Sequence, residues 1–277
     1  MRPAKQLTLL ATLAACGLAA PAMADFNYPN FASTAGLTLV GNATQTSNSI
    51  LVTPSLGSQA GAVWVNQKQM VSSGFDASMT IHIDDKQGQG ADGIALVIQN
   101  SSGEALGGRG GGVGYGDNPT FGFSGIPNSV AIVFDMWNNN VNWPEPGDNH
   151  VSIQSNGTGA NSPLLQYSLG NAATPDLSDG QQHVLRVNYT AGIMSVYIDG
   201  NLSPVLQRAL DLSSLISLDQ GGNAWVGVTA ATGGTADREA HVLDSFALTS
   251  CNIPTPGTAS LLLLGGLVGY RRNRRTA

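Results

Sequence analysis

The sequence predicts an all-β protein, an antiparallel sandwich in a single domain, and three observations carry that prediction. Charged residues make up only 11% of the chain while 35 of its 277 residues are glycine. This polar, turn-rich composition suits strands and loops and suits a charge-laced helical bundle poorly. Apolar residues recur with period two in several segments, and no stretch of residues 25–250 sustains the 3.6-residue apolar period of a helix. With 42% apolar residues, a chain of this length buries a substantial core, which excludes intrinsic disorder.

Taken in order, Phe75, Ala77, Met79, Ile81 and Ile83 alternate with Asp76, Ser78, Thr80, His82 and Asp84, the pattern of a half-buried strand. The continuous apolar runs Ile94 to Ile98 and Val130 to Phe134 predict strands covered on both faces. Alternation returns in Leu185, Val187 and Tyr189, and again in Met194, Val196 and Ile198. Asp199-Gly200 then reads as a hairpin-type turn, and Trp225 to Val228 as a last covered strand.

Both ends read as addresses. Met1 to Lys5 is a short basic start, Leu7 to Ala20 is apolar, and Ala22-Met23-Ala24 offers the small residues of a cleavage site, so residues 1–24 read as a signal peptide. Leu13-Ala14-Ala15-Cys16 is a competing lipoprotein-type cut that leaves Cys16 lipidated. Residues 253–277 combine Pro254-Thr255-Pro256, a short apolar stretch from Leu261 to Tyr270, and the cluster Arg271, Arg272, Arg274 and Arg275. The stretch is shorter than the roughly 20 residues of a spanning helix. This tail resembles the PEP-CTERM sorting signal, with Thr255 where that family has glutamate. The resemblance implies transient membrane anchoring, processing by an exosortase-type enzyme, and a place on or outside the cell surface of a Gram-negative bacterium. A plain tail anchor is the alternative. If Cys16 leaves with the leader, Cys251 has no partner for an internal disulfide.

The two ends hold six of the twelve basic residues and none of the eighteen acids, so the body between them has a balance of −12. Such a surface repels phosphate backbones, which excludes nucleic acid as a partner, and it fits cation binding. Gly88 to Gly93 matches GxGxxG letter for letter, but an apolar strand follows where a dinucleotide site needs a helix. Gly107 to Gly116 lacks the Lys-Ser/Thr ending of a phosphate loop, and no GxSxG nucleophile elbow is present. The glycine run reads instead as a loop whose bare backbone approaches a ligand or another strand.

The densest chemistry lies in residues 134–150, where Asp135, Asn139, Glu145, Asp148 and His150 offer oxygen and nitrogen donors and Pro144 and Pro146 stiffen the loop between them. A hard cation such as calcium takes six to eight oxygens from carboxylates, amides, carbonyls and water. The alternative is a solvated polar loop.

Six segments, read in order, resemble the legume-type (L-type) lectin family: ADGIALVIQ at 91–99, LGGRGGGVGYG at 106–116, IPNSVAIVFDMWNN at 126–139, DNHVSI at 148–153, DGQQHVLRVNY at 179–189 and WVGVTAATGG at 225–234. The resemblance covers most of residues 25–252. It implies a concanavalin A-like jelly-roll β-sandwich whose loops converge on one shallow, calcium-supported sugar site. By the same resemblance Asp92 accepts hydrogen bonds from sugar hydroxyls, Gly111 donates its backbone N–H, and Asn139 touches both sugar and calcium. Trp137 offers its carbonyl to calcium and its ring to the sugar. Asp135 is a bridging calcium ligand, Glu145 stands where the family has an aspartate, and His150 falls on the histidine of a second, transition-metal site. Residues 233–238 match a variable loop that helps set sugar preference. Val133 stands where two-metal members have glutamate, so calcium alone is expected and His150 reads as a vestigial or supporting residue. His82, His183 and His241 read as structural or solvated.

The chemistry of such a site can be argued without the resemblance. Sugars are neutral, carry hydroxyls that donate and accept, and expose apolar C–H faces, so they fit a carboxylate, an amide, a free N–H and an aromatic ring. Glycans or an exopolysaccharide are the expected partners, and an exported lectin, in surface adhesion or biofilm matrix, is the expected function. A glycoside hydrolase on the same fold needs two carboxylates about the scissile bond, whereas residues 133–138 hold one acid, Asp135. A matrix scaffold that has lost the sugar site is the other alternative, and Asp92 and Asn139 argue against it.

Overall fold

The computed structural model describes residues 26–139, 146–190 and 192–251. The expected leader 1–24, the tail 253–277 and the expected metal ligand Glu145 lie outside these described residues. The first half of the chain forms β1 (Phe26–Tyr28), β2 (Leu37–Gly41), β3 (Thr44–Gln45), β4 (Ile50–Thr53), β5 (Ala60–Val65), β6 (Gln69–Met70), β7 (Phe75–Gln87) and β8 (Asp92–Gln99). The second half forms β9 (Ser129–Asp135), β10 (His150–Gln154), β11 (Ser168–Ala173), β12 (Gln182–Thr190), β13 (Ile193–Ile198), β14 (Leu206–Ala209), β15 (Asn223–Thr232) and β16 (Arg238–Ser250). Among the described residues the one α-helix is α1 (Leu212–Leu215), a single turn capped by Asp211, whose carboxylate accepts the Ser213 N–H at 3.0 Å.

The strands build two eight-stranded antiparallel sheets. One runs β14-β13-β12-β7-β16-β4-β3 with β1 added on β16; the other runs β11-β10-β9-β8-β15-β5-β2 with β6 added on β15. The alternation in the sequence becomes the inner face of the first sheet: Phe75, Ala77, Met79, Ile81 and Ile83 of β7 are buried beside Leu185, Val187 and Tyr189 of β12. They join one core with Ile94, Leu96, Ile98, Val130, Ile132 and Phe134 of the second sheet. Each Val, Leu, Ile, Met or Phe among them contributes about 1.5–3 kcal/mol on full burial. The expected hairpin turn is present, with Asp199 and Gly200 at φ of 53° and 69° and the Asn201 N–H donating to the Ile198 carbonyl at 3.2 Å.

The second sheet is covered on its outer face too, which explains its continuous apolar runs. Ala95, Val97, Ala131 and Val133 point there and pack with Ala62, Trp64, Val113, Tyr115 and Ile126 in a second cluster. Val113 and Tyr115 belong to the glycine-rich stretch, which is folded over the strands as a flap. Trp64 Nε1–H donates to the Ala105 carbonyl at 2.8 Å, and Thr229 Oγ1–H donates to the Val113 carbonyl at 2.9 Å. Gly114 sits at φ +72° and a Cβ there would lie 2.9 Å from the Ala230 carbonyl oxygen, so the flap reaches the sheet only with glycine at this position.

Gly88 to Gly90 form the turn between β7 and β8 with no helix following, as the sequence indicates. The three framework histidines have polar neighbours: His82 Nδ1 lies 2.7 Å from Asp244, and His241 Nδ1 lies 2.8 Å from the Thr53 hydroxyl and Nε2 3.6 Å from the buried Glu239. His183 is bracketed by Asp199 at 2.9 Å and Asp179 at 3.1 Å.

Candidate functional site

The ends of β8, β9 and β15 meet at one rim of the second sheet. Asp92 opens β8, its register partner is Thr232 at the end of β15, and the next residue, Gly93, is paired with Asp135 at the end of β9. The Ala91–Asp92 peptide is cis, and the Asp92 carbonyl accepts the Met136 N–H at 2.9 Å, tying the start of one strand to the exit of the other. Asp92 is 3% exposed. A Cβ on Gly233 would lie 3.4 Å from Asp92 Oδ2, and one on Gly110 would lie 3.9 Å from it, so two stretches of bare backbone flank the carboxylate.

The chain bends sharply as it leaves β9. Asp135, 4% exposed, accepts the Trp137 N–H on Oδ1 at 2.9 Å, an Asx-type turn that sends Trp137 and Asn139 toward Asp92. The outcome is a cavity of about 580 Å³ whose lining includes Asp92, Gly111, Trp137 and Asn139, together with Gly233, Gly234 and Asp237 of the variable loop. All four sugar-contacting residues expected from the sequence are therefore brought together, from three separate segments. Asp237 Oδ1 accepts the Gln89 N–H at 3.0 Å, which turns this carboxylate onto the β7–β8 turn.

Of the expected metal ligands, Asp135, Trp137 and Asn139 are adjacent along the bend, and Glu145 lies outside the described residues. Among the described residues no three His, Cys, Asp or Glu side chains cluster as a metal site. The donors that are described are a carboxylate, a carboxamide and main-chain carbonyls, all oxygens, and this donor set fits a hard cation and fits zinc or copper poorly. His150 is paired across the strands with Asp135 and shares a small crevice of about 10 Å³ with Val133 and Ser152. Its Nδ1–H donates to the Gly147 carbonyl at 2.8 Å. Burial holds the imidazole below its ordinary pKa, against the opposing pull of that carbonyl and of Asp148. With the apolar Val133 beside it, His150 reads as a buried structural residue.

Arg109, Asn118, Phe121 and Phe123 also line the cavity and were not singled out in the sequence. Arg109 lies over the Phe123 ring at 5.3 Å, Asn118 Nδ2–H donates to the Arg109 carbonyl at 2.8 Å, and Phe121 is 67% exposed. A signal for them exists: Arg109 is the only charge within the glycine run 107–116, and Phe121 and Phe123 are two aromatics in a Pro- and Gly-containing loop.

The chain matches the family model of the legume lectin β-barrel domain over residues 27–245. It is 26% identical to human ERGIC-53 over 208 residues, which are 71% of this chain and 36% of that protein, so the chain spans about a third of that relative's length. It is 27% identical to a lectin of Bauhinia forficata over 242 residues, 83% of this chain and 97% of the relative. The solved structure of the Bauhinia forficata lectin in complex with GalNAc superposes with a TM-score of 0.66 at 23% identity, covering 82% of this chain and 97% of that one. The Ca2+/Man-bound exoplasmic/lumenal domain of VIP36 superposes with a TM-score of 0.60 at 17% identity, covering 79% and 84%. These two superpositions bear on the fold.

Proposed function

Since this chain belongs to the legume lectin β-barrel domain family, we propose that it is a carbohydrate-binding protein whose sugar site is the 580 Å³ cavity at the rim of the second sheet. One observation carries the reading: Asp92, Gly111, Trp137 and Asn139 line the same cavity although they come from segments far apart in sequence. Asp92 and Asn139 offer an acceptor and a carboxamide to sugar hydroxyls, Gly111 offers an N–H, and Trp137 offers a ring for the C–H face. The GalNAc complex of the Bauhinia forficata lectin supports a sugar as the ligand class.

Calcium fits the same bend. The Asp135 carboxylate, the Asn139 amide oxygen and the Trp137 carbonyl would hold it, with Glu145, outside the described residues, as the further ligand expected from the sequence, and the ion would supply positive charge and a rigid cross-link between neighbouring bends. With the bend ordered before the ligand arrives, the entropic cost of binding falls. The Ca2+/Man-bound form of VIP36 supports this assignment. Affinity for a single sugar unit is expected in the millimolar to high-micromolar range, about −4 to −6 kcal/mol, with avidity supplied by multivalent display.

Binding without hydrolysis is the reading the residues favour. A hydrolase sets two carboxylates about the scissile bond, whereas of the two acids lining this cavity Asp237 accepts a backbone N–H. Export, tail processing and a place at a bacterial surface rest on the sequences 1–24 and 253–277 alone. Among the described residues no helix is long and apolar enough to cross a membrane. The test is a glycan array run with calcium and with chelator. Retention that depends on calcium supports the proposal; release of reducing sugar points to the enzyme, and no retention in either condition points to the scaffold.

A further inference from the structure

The sugar reading gives no role to four residues that line the same cavity, Arg109, Asn118, Phe121 and Phe123. The body of the protein has six basic residues, and five of them are engaged. Lys68 pairs with Asp219 at 2.8 Å, Lys86 with Asp176 at 3.7 Å, and Arg186 with Asp76. Arg208 donates to the Leu169 carbonyl, and Arg238 to the Ser55 carbonyl at 3.1 Å and to the Thr235 carbonyl. Only Arg109 has no hydrogen bond or ion pair to its guanidinium among the described residues, in a body where acids outnumber bases three to one. It shares its cavity with Asp92 and Asp237, yet neither carboxylate comes within 4 Å of it.

The guanidinium is also presented in an ordered way. The Arg109 main chain is pinned by Asn118 Nδ2–H at 2.8 Å, and the side chain is laid over Phe123 at 5.3 Å. Among the described residues no partner occupies the N–H groups of this planar fork, and the fork matches a carboxylate with two parallel N–H···O bonds. Beside it, Asn118 Oδ1 is buried, with the residue 3% exposed, and has no hydrogen-bond partner among the described residues. A buried acceptor without a donor is costly, and a ligand hydroxyl would satisfy it.

We propose that these residues select acidic saccharides: Arg109 pairs with the carboxylate of a uronic acid unit while Asn118 accepts one of its hydroxyls. The inference rests on the sugar reading and narrows its ligand class. Selection then comes from the unpaired guanidinium, and Asp92 continues to take sugar hydroxyls.

The test is calorimetric titration of the full chain in calcium buffer with methyl glycosides offered as matched sets: glucose, galactose and mannose, their uronates, and their 6-sulfates. At least one uronate is expected to bind about tenfold more tightly than its neutral parent, the size of one charge-assisted hydrogen-bonded pair at a wetted wall. That preference should shrink as salt rises. In Arg109→Gln the ratio of uronate to neutral affinity should fall to about one, and Arg109→Lys, which keeps the charge and loses the fork, should fall between. Equal binding of neutral and uronate forms by the wild type, or an unchanged ratio in Arg109→Gln, overturns the inference and leaves the sugar reading standing. A preference confined to the sulfates overturns the carboxylate assignment. No binding of any sugar overturns both readings.

Discussion

The Trp137 N–H donates to Asp135 Oδ1 at 2.9 Å, and through this one bond the exit of β9 turns toward the start of β8. The same aspartate is the expected calcium ligand, so shape and ion binding converge on one carboxylate. Replacing Asp135 by alanine should lower stability by about 1–2 kcal/mol, the cost of leaving the part-buried Trp137 N–H without its acceptor. Sugar retention should fall with it. Denaturant melts with and without calcium check this: the wild type should be stabilised by the ion, and the variant should not.

Asp92 predicts the opposite division. Asp92→Asn keeps size and an acceptor while removing the charge at the cavity floor, and should lower sugar affinity at least about tenfold with stability shifted by less than about 1 kcal/mol. Titration beside a thermal melt decides it. Sugar binding equal to wild type would remove the residue from the site.

The flap that covers the outer face offers a third test. Gly114→Ala places a Cβ 2.9 Å from the Ala230 carbonyl oxygen at φ +72°, and strain of that kind costs about 1–3 kcal/mol. Because the same flap carries Arg109 to Gly111 into the cavity, affinity should fall alongside stability. A variant that loses neither would show that the flap can shift without consequence.

A pH dependence follows from His183. Burial opposes its charge, but hydrogen bonds to Asp199 and Asp179 outweigh that and hold its pKa above the ordinary value. A raised pKa means that the folded state holds the proton more tightly. The added stability is therefore complete below about pH 6.5 and fades as pH rises through the folded value. The stability difference between wild type and His183→Gln should shrink as pH rises from about 5.5 to about 8.5, by no more than about 1 kcal/mol because Asp179 and Asp199 are partly exposed. A difference that grows with pH would contradict the assignment.

How much of this was legible beforehand differs by element. The alternation from Phe75 to Ile83 declared its buried face because one side of β7 meets the core and the other meets water. The runs at 94–98 and 130–134 announced two covered faces, but the cover itself, Val113 and Tyr115 of the glycine flap, is a tertiary contact that no local period encodes. Within the candidate site, Asp92, Trp137 and Asn139 were singled out by the resemblance of six segments to the lectin family, and their residue types, a carboxylate, an indole and an amide, suit a sugar. The role proposed for Arg109 was not readable, since it rests on what the guanidinium does not touch, which shows only once the other five cations have found their partners. Glu239 gave no signal either: a carboxylate at the edge of a polar loop looks exposed in sequence, and here it is fully buried beside His241.

The flap's attachment to the sheet has a bearing on how such a protein can diversify. Val113 and Tyr115 are part of the second cluster, and the Val113 carbonyl is latched by Thr229, so drift at residues 113–115 is penalised by unfolding before it can alter taste for a ligand. The segments 119–123 and 233–237 reach the same cavity from outside that cluster. Variants with new preferences should therefore accumulate in those two loops and at Arg109, while the latched stretch 113–115 changes little from one descendant to the next.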